Sequence, residues 1–154
     1  MLHRHPLLSL VTGAYVLFVG WLTLTPQPVE PADDLMTRVL RGLHERGYAE
    51  WLDYNRLEFL LNIAMFVPIG MFLLLLFGSG GWWVAALASF ALTAGIETAQ
   101  RNIPGRVSDP RDLVSNMLGA SFGILIALVL TLPATLRRRR TRRNARRPRS
   151  FSDA

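Results

Sequence analysis

Four long runs of apolar residues alternate with shorter polar segments along this chain. The runs cover about residues 7–24, 57–77, 82–100 and 113–132. Each is close to the ~20 residues that a helix needs to cross a hydrocarbon core of about 30 Å. The pattern therefore predicts four transmembrane helices.

A shorter amphipathic pattern lies between the first and second runs. Within residues 25–56, apolar side chains recur at helical spacing after Asp33 and Asp34. They are Leu35, Met36, Val39, Leu40 and Leu43. The fold class that we predict is an all-α membrane protein: a bundle of four transmembrane helices with a short amphipathic outer helix between the first and second.

Composition agrees with a membrane protein and excludes some kinds of site. Of the 154 residues, 51% are hydrophobic and 18% are charged, a balance too apolar for an ordinary soluble surface. The chain has no cysteine, which excludes disulfides and thiolate metal sites. No cofactor is expected, although a divalent cation is compatible with the acidic residues described below.

Charge sets the expected orientation. Nine arginines lie between residues 137 and 149, more than the formal net charge of +6 for the whole chain. Because basic flanks stay in the cytoplasm and the number of crossings is even, both termini are expected to be cytoplasmic. The predicted organisation is a cytoplasmic amino terminus (residues 1–6), a four-helix transmembrane domain (7–132) and a basic cytoplasmic tail (133–154).

The arginine tail has three interpretations: it fixes the topology, binds anionic lipid headgroups, or binds nucleic acid. We favour the first two. Residues 137–149 contain no aromatic side chain for base stacking and adjoin a membrane helix, so a nucleic-acid partner is not expected.

Polar side chains interrupt the second, third and fourth helices at one end of the predicted bundle, the outer end. The candidate site residues are Glu58, Asn62, Glu97, Gln100, Arg101, Arg106, Asp109, Asp112 and Asn116. A charge at the centre of a lipid-exposed helix costs about 2.5–3.5 kcal/mol, so such groups face the bundle interior or water. We expect one shared site, with Glu97 its principal residue and Arg101 and Arg106 its nearby cations.

Structural interpretations stand beside the functional one. Asp109 followed by Pro110 is typical of a helix start, with a capping side chain and proline in the first turn. Asn62 and Asn116 are also compatible with simple interhelical hydrogen bonds, and Glu58 with an interfacial position. For Gly119-x-x-x-Gly123, helix packing is the favoured interpretation.

Three motifs follow one another in a specific order. They are Glu58-x-x-x-Asn62-x-x-x-Phe66-x-Pro68-x-Gly70, Ile96-Glu97-x-x-Gln100 and Gly105-Arg106-x-x-Asp109-x-x-Asp112-x-x-x-Asn116-x-x-Gly119. This order resembles the VanZ-like family of bacterial membrane proteins. The resemblance implies a multi-pass protein of the bacterial cell membrane. It also implies a link to resistance against teicoplanin, a glycopeptide antibiotic that acts on cell-wall precursors at the outer membrane face.

Three function classes fit these residues. In the first, the outer polar cluster binds an anionic or lipid-linked envelope component, with Arg101 and Arg106 on its phosphate. In the second, Glu97, Asp109 and Asp112 hold a divalent cation for a hydrolase or transferase acting on a lipid-linked substrate. The third is a non-catalytic structural membrane subunit. No nucleophile is marked by the sequence, so the first class is favoured.

Overall fold

The computed structural model describes residues 6–25, 35–103 and 109–145. Within these ranges the chain forms five α-helices and no strand. They are α1 (Pro6–Leu24), α2 (Leu35–His44), α3 (Tyr54–Phe77), α4 (Trp82–Gln100) and α5 (Pro110–Ala145). Four of them are long and apolar enough to cross a membrane, which confirms the predicted all-α membrane bundle.

The short helix α2 confirms the amphipathic helix predicted between the first two spans. Leu40 is buried on one side of it, whereas Arg38 and Arg41 are exposed. Its last residue, His44, places Nε2 3.0 Å from the carbonyl oxygen of Leu52. This contact links α2 to the segment that leads into α3.

The connection between α3 and α4 is a tight glycine turn. Gly78 has a φ of 80°, a left-handed conformation that favours glycine, and its N–H donates to the Leu74 carbonyl at 2.7 Å. One 3₁₀ turn, Ser79–Gly81, then leads directly into α4. Consecutive helices joined this closely must pack side by side in opposite directions.

The most extensive helix contact lies between α3 and α5. It depends on glycines, because a Cβ atom at Gly119 would overlap the Ile63 carbonyl oxygen and one at Gly123 would overlap that of Val67. Small residues that allow backbones to approach this closely are typical of membrane helix pairs. The packing interpretation of these two glycines is confirmed.

The apolar core joins α1, α3, α4 and α5. Its buried members near the middle of the bundle are Val19, Phe66, Ile69, Ile96 and Ala120. Tyr15 adds a polar tie, since its hydroxyl donates to the Met65 carbonyl at 3.0 Å and so fastens α1 to α3. This core holds the ends of the four helices in register.

The bounds of two helices, α3 and α5, differ from those expected from hydropathy. α3 begins three residues early, at Tyr54, because the Asp53 side chain caps it by accepting the Arg56 N–H at 2.8 Å. α5 begins at Pro110 and continues through Pro133 to Ala145. Hydropathy marks the hydrocarbon-spanning part of a helix, whereas a capping residue and helix-favouring arginines extend it into water.

Candidate polar site at one end of the bundle

Three side-chain hydrogen bonds tie the four long helices together at one end. Gln100 Nε2 on α4 donates to the Thr23 carbonyl on α1 at 3.0 Å. Asn62 Nδ2 on α3 donates to Asp112 Oδ1 on α5 at 2.9 Å. Asn116 Nδ2 on α5 donates to Thr93 Oγ1 on α4 at 2.8 Å. We call this the polar end of the bundle, where α1 and α4 end and α3 and α5 begin.

Helical spacing places the polar residues of α4 on its inward face. Thr93, Glu97 and Gln100 follow one another at intervals of four and three residues, and all three are buried. Ser89 extends the same buried stripe by one more turn. This polar stripe therefore faces the interior of the bundle.

The side chains at the centre of this end are almost completely removed from solvent. The exposed fractions are 7% for Glu97, 5% for Gln100 and 3% for Asn116. Glu97 lies about one turn before the end of α4, and the neighbouring helices cover it. Such burial inside protein is the arrangement that lowers the cost of an ionisable group within a membrane.

Two amide oxygens in the site have unused acceptor capacity. Gln100 Oε1 and Asn116 Oδ1 are buried, and no described residue donates a hydrogen bond to either of them. The same two side chains donate through their amide nitrogens to Thr23 and Thr93. Their orientation is therefore set by the protein, while their acceptors remain available to a donor from elsewhere.

Several acidic side chains lie within electrostatic range of the first turn of α5. Asp112 is partly buried, and Glu58, Glu97 and Asp109 lie close enough to repel its negative charge electrostatically. The Asn62 amide opposes this repulsion by donating directly to Asp112. The site therefore gathers hydrogen-bond acceptors from α3, α4 and α5.

These carboxylates do not assemble into a metal site. In the described part of the chain, no three His, Cys, Asp or Glu side chains lie close enough together to hold a metal ion. Asp109 has another use, because its Oδ1 accepts the Arg111 N–H at 2.9 Å and caps α5. The three oxygen ligands considered for a divalent cation, Glu97, Asp109 and Asp112, are therefore not brought together as a set.

The two predicted cations have different outcomes. Arg101 is exposed directly after the last residue of α4. Arg106 lies outside the described residues, and its expected role beside Glu97 stays a prediction. Glu58 is partly buried one turn before Asn62 on α3.

Sequence reasoning did not single out two partners in this network. Thr93 is not among the candidate residues named from the sequence, although its position four residues before Glu97 was a usable signal. The Thr23 carbonyl carries no side-chain signal. It lies in the last turn of α1, where backbone carbonyls lack intrahelical donors, and the Gln100 amide satisfies it.

A family model described as VanZ/LLP1 matches residues 12–131. The chain belongs to this family. The match runs from the second turn of α1 to the apolar part of α5 and includes every candidate residue named from the sequence, whereas the arginine tail lies beyond it. The resemblance inferred from the three motifs is confirmed. The matched range begins at residue 12, whereas the first of those motifs begins at Glu58. No curated protein and no solved structure matches the chain.

Proposed function

We propose that the polar site binds the headgroup of an anionic or lipid-linked envelope component at the outer face of the bacterial cell membrane. The observation that carries this proposal is the pair of buried acceptors, Gln100 Oε1 and Asn116 Oδ1. Buried polar atoms are usually paired, and two oriented acceptors beside several carboxylates favour a ligand rich in hydroxyl, amide or ammonium donors.

The proposed orientation follows from the two ends of α5. Asp112 lies in its first turn, and the arginine tail follows its membrane span, Pro110–Arg137. Because the basic tail favours the cytoplasm, the polar end then lies at the outer face. The tail itself would contact anionic headgroups of the inner leaflet, at about 1 kcal/mol per charge near the surface.

In this proposal two kinds of side chain bind different parts of the ligand. Arg101 and Arg106 engage a phosphate or another anionic part, while the amides and carboxylates orient groups that donate hydrogen bonds. Occupation of a cell-wall precursor headgroup in this way changes its availability to teicoplanin-type glycopeptides. Altered susceptibility to these antibiotics is therefore part of the proposal.

The substitution Glu97→Gln tests this function, because it keeps the shape of the side chain while removing its charge. We expect the amount of the lipid that the wild-type protein binds at this polar site, measured by mass spectrometry of the purified sample, to fall about tenfold, equivalent to one charge-assisted hydrogen bond. Thermal unfolding should change little, and a teicoplanin phenotype should be lost. Glu45→Gln, at an exposed position after α2, is the matched control. An unchanged lipid profile at normal abundance would contradict the proposal.

A second candidate, a structural membrane subunit, is favoured by a different observation. The bonds from Asn62 to Asp112 and from Asn116 to Thr93 hold helices together without any ligand. This function predicts that the purified protein carries no lipid whose enrichment depends on Glu97, and that it retains a partner protein in fixed stoichiometry. The same purification therefore separates the two candidates. Metal-assisted catalysis is not proposed, since the described residues bring no metal-ligand set together.

A further inference from the structure

A surface pocket lies at the polar end, between the start of α3 and the first turn of α5. Its volume is about 460 Å³, and it is separate from the buried amide network. The residues that characterise it are Trp51, Asp53, Arg56, Phe59, Leu60 and Arg111. None of them is among the site residues predicted from the sequence.

The pocket contains two guanidinium groups and one carboxylate. Arg56 Nε lies 3.5 Å from Asp53 Oδ2, and the Arg56 side chain also donates to the Trp51 carbonyl. These two contacts set the position of Arg56 at the pocket wall. Arg111 enters from α5 on the opposite side, which leaves the pocket with an excess of one positive charge.

The remaining wall is apolar and continues toward the hydrocarbon region. Phe59 and Leu60 follow Arg56 by about one turn of α3, so they lie deeper along the membrane-spanning helix. Leu60 is 46% exposed and Trp51 is 63% exposed, which leaves apolar surface available beside the charges. The pocket therefore changes from cationic to apolar along the direction in which a lipid changes from headgroup to acyl chain.

We propose that this pocket binds the phosphate of an anionic membrane lipid between Arg56 and Arg111, with the lipid chain along Phe59 and Leu60. Guanidinium groups suit this task because their planar donors match phosphate oxygens in pairs. Trp51 supplies an amphipathic ring at the depth where headgroup and chain meet. The site goes beyond the headgroup function proposed for Glu97, Gln100 and Asn116, and it can be tested separately.

The test uses the full-length purified protein in detergent and native mass spectrometry. The probes are dioleoylphosphatidylglycerol and dioleoylglycerol, which share their acyl chains and differ by the phosphate-bearing headgroup. For the wild-type protein we expect preferential retention of phosphatidylglycerol. In the double variant Arg56→Gln/Arg111→Gln, the apparent affinity for it should fall at least about tenfold, while retention of dioleoylglycerol should not change.

The matched control is Arg41→Gln/Arg46→Gln, which removes two exposed positive charges from the segment between α1 and α3 but none from the pocket. It should bind phosphatidylglycerol like the wild type. Equal losses in both double variants would show a general charge effect and overturn the site. So would unchanged binding in the pocket variant.

Two further arms complete the test. If the double variant unfolds because Arg56 anchors the loop, Arg111→Gln alone decides, since Arg111 is exposed and should still lower the affinity severalfold. Millimolar inorganic phosphate should not displace the lipid. If phosphate displaces the lipid and is itself retained by the protein, the pocket binds a free anion and the lipid proposal is overturned. Glu97→Gln should leave phosphatidylglycerol binding intact, which separates failure of this site from failure of the polar-site proposal.

Discussion

Asn116 on α5 donates its side-chain amide to the hydroxyl of Thr93 on α4 at 2.8 Å, inside a bundle where both residues are buried. The bond joins two helices that the chain connects only through residues 101–109. The bond also fixes the orientation of the Asn116 amide group, whose oxygen accepts no hydrogen bond from any described residue. One side chain thus has a structural contact and an acceptor that a ligand can use.

A double-mutant cycle measures the structural part. Asn116→Ala and Thr93→Val should be less destabilising together than the sum of the two single changes, with a coupling of about 0.6–1.7 kcal/mol, the range for membrane interhelical hydrogen bonds. The free energy of unfolding in mixed micelles provides the measurement. Thr98→Val is the control, because Thr98 is exposed and its hydroxyl donates to the Ala94 carbonyl of its own helix. Coupling to Thr98 as large as coupling to Thr93 would refute the contact.

The glycines of α5 provide a second prediction. Gly123→Ala should destabilise the protein by about 1–3 kcal/mol, because the added methyl group meets the Val67 backbone, which cannot rotate away. Gly95→Ala on α4 is the matched control, since a Cβ there meets nothing within 4 Å. We expect it to be neutral or slightly stabilising, as alanine is the better helix former. Equal effects of the two variants on unfolding would contradict the close approach of α3 and α5.

The attachment of α1 can be tested through Gln100. Gln100→Leu removes the donor to the Thr23 carbonyl and leaves a partly buried acceptor unpaired, which should cost about 1 kcal/mol, the lower end of the range for an unpaired polar group. Amide hydrogen exchange should rise in the last turn of α1 and much less in α3. Asn102→Leu removes an exposed amide that donates to the Thr98 carbonyl of the preceding turn, and it should leave exchange in α1 unchanged. Protection of α1 that survives Gln100→Leu would show that this bond does not hold the helix.

Two substitutions of Asp109 test whether the fold needs its side chain as a helix cap or needs its charge. Asp109→Ala should lower stability by about 0.5–2 kcal/mol because the cap on the Arg111 N–H is lost, whereas Asp109→Ser should recover most of it. The measurement is thermal unfolding of the two variants side by side. A serine variant as unstable as the alanine variant would show that the carboxylate charge, and not the cap, is what the fold needs.

The features that could be predicted from the sequence are those that produce a pattern of residue types along the chain. The bounds of α4 agree with the expected ones because Trp82 and Gln100 mark both ends of the third predominantly apolar run. The early start of α3 was missed because Asp53 and the first residues of α3 lie before the apolar run, where hydropathy does not mark a cap. Family membership followed from motif order, and the shared polar end followed from alternating helix direction.

Other features could not be predicted because they depend on contacts between remote segments. The Thr23 carbonyl has no side-chain signature, so its bond with Gln100 appears only once α1 and α4 are packed. The failure of the proposed cation ligands to assemble also depends on the fold, since Asp109 is used to cap α5. Arg111, next to Asp112 in the chain, passed unnoticed because only its pairing in space with Arg56 gives it a candidate role.

The side of the membrane on which the polar end lies is the most direct test of the account. The natural chain has no cysteine, so single cysteines can be introduced at Asn102, exposed beside the polar end, and at Gly80, exposed in the turn at the opposite end. A membrane-impermeant maleimide applied to intact cells is predicted to label the Asn102→Cys protein and to label the Gly80→Cys protein only after the membrane is opened. Labelling of Gly80→Cys, but not Asn102→Cys, in intact cells would place the polar site in the cytoplasm and contradict the proposed function.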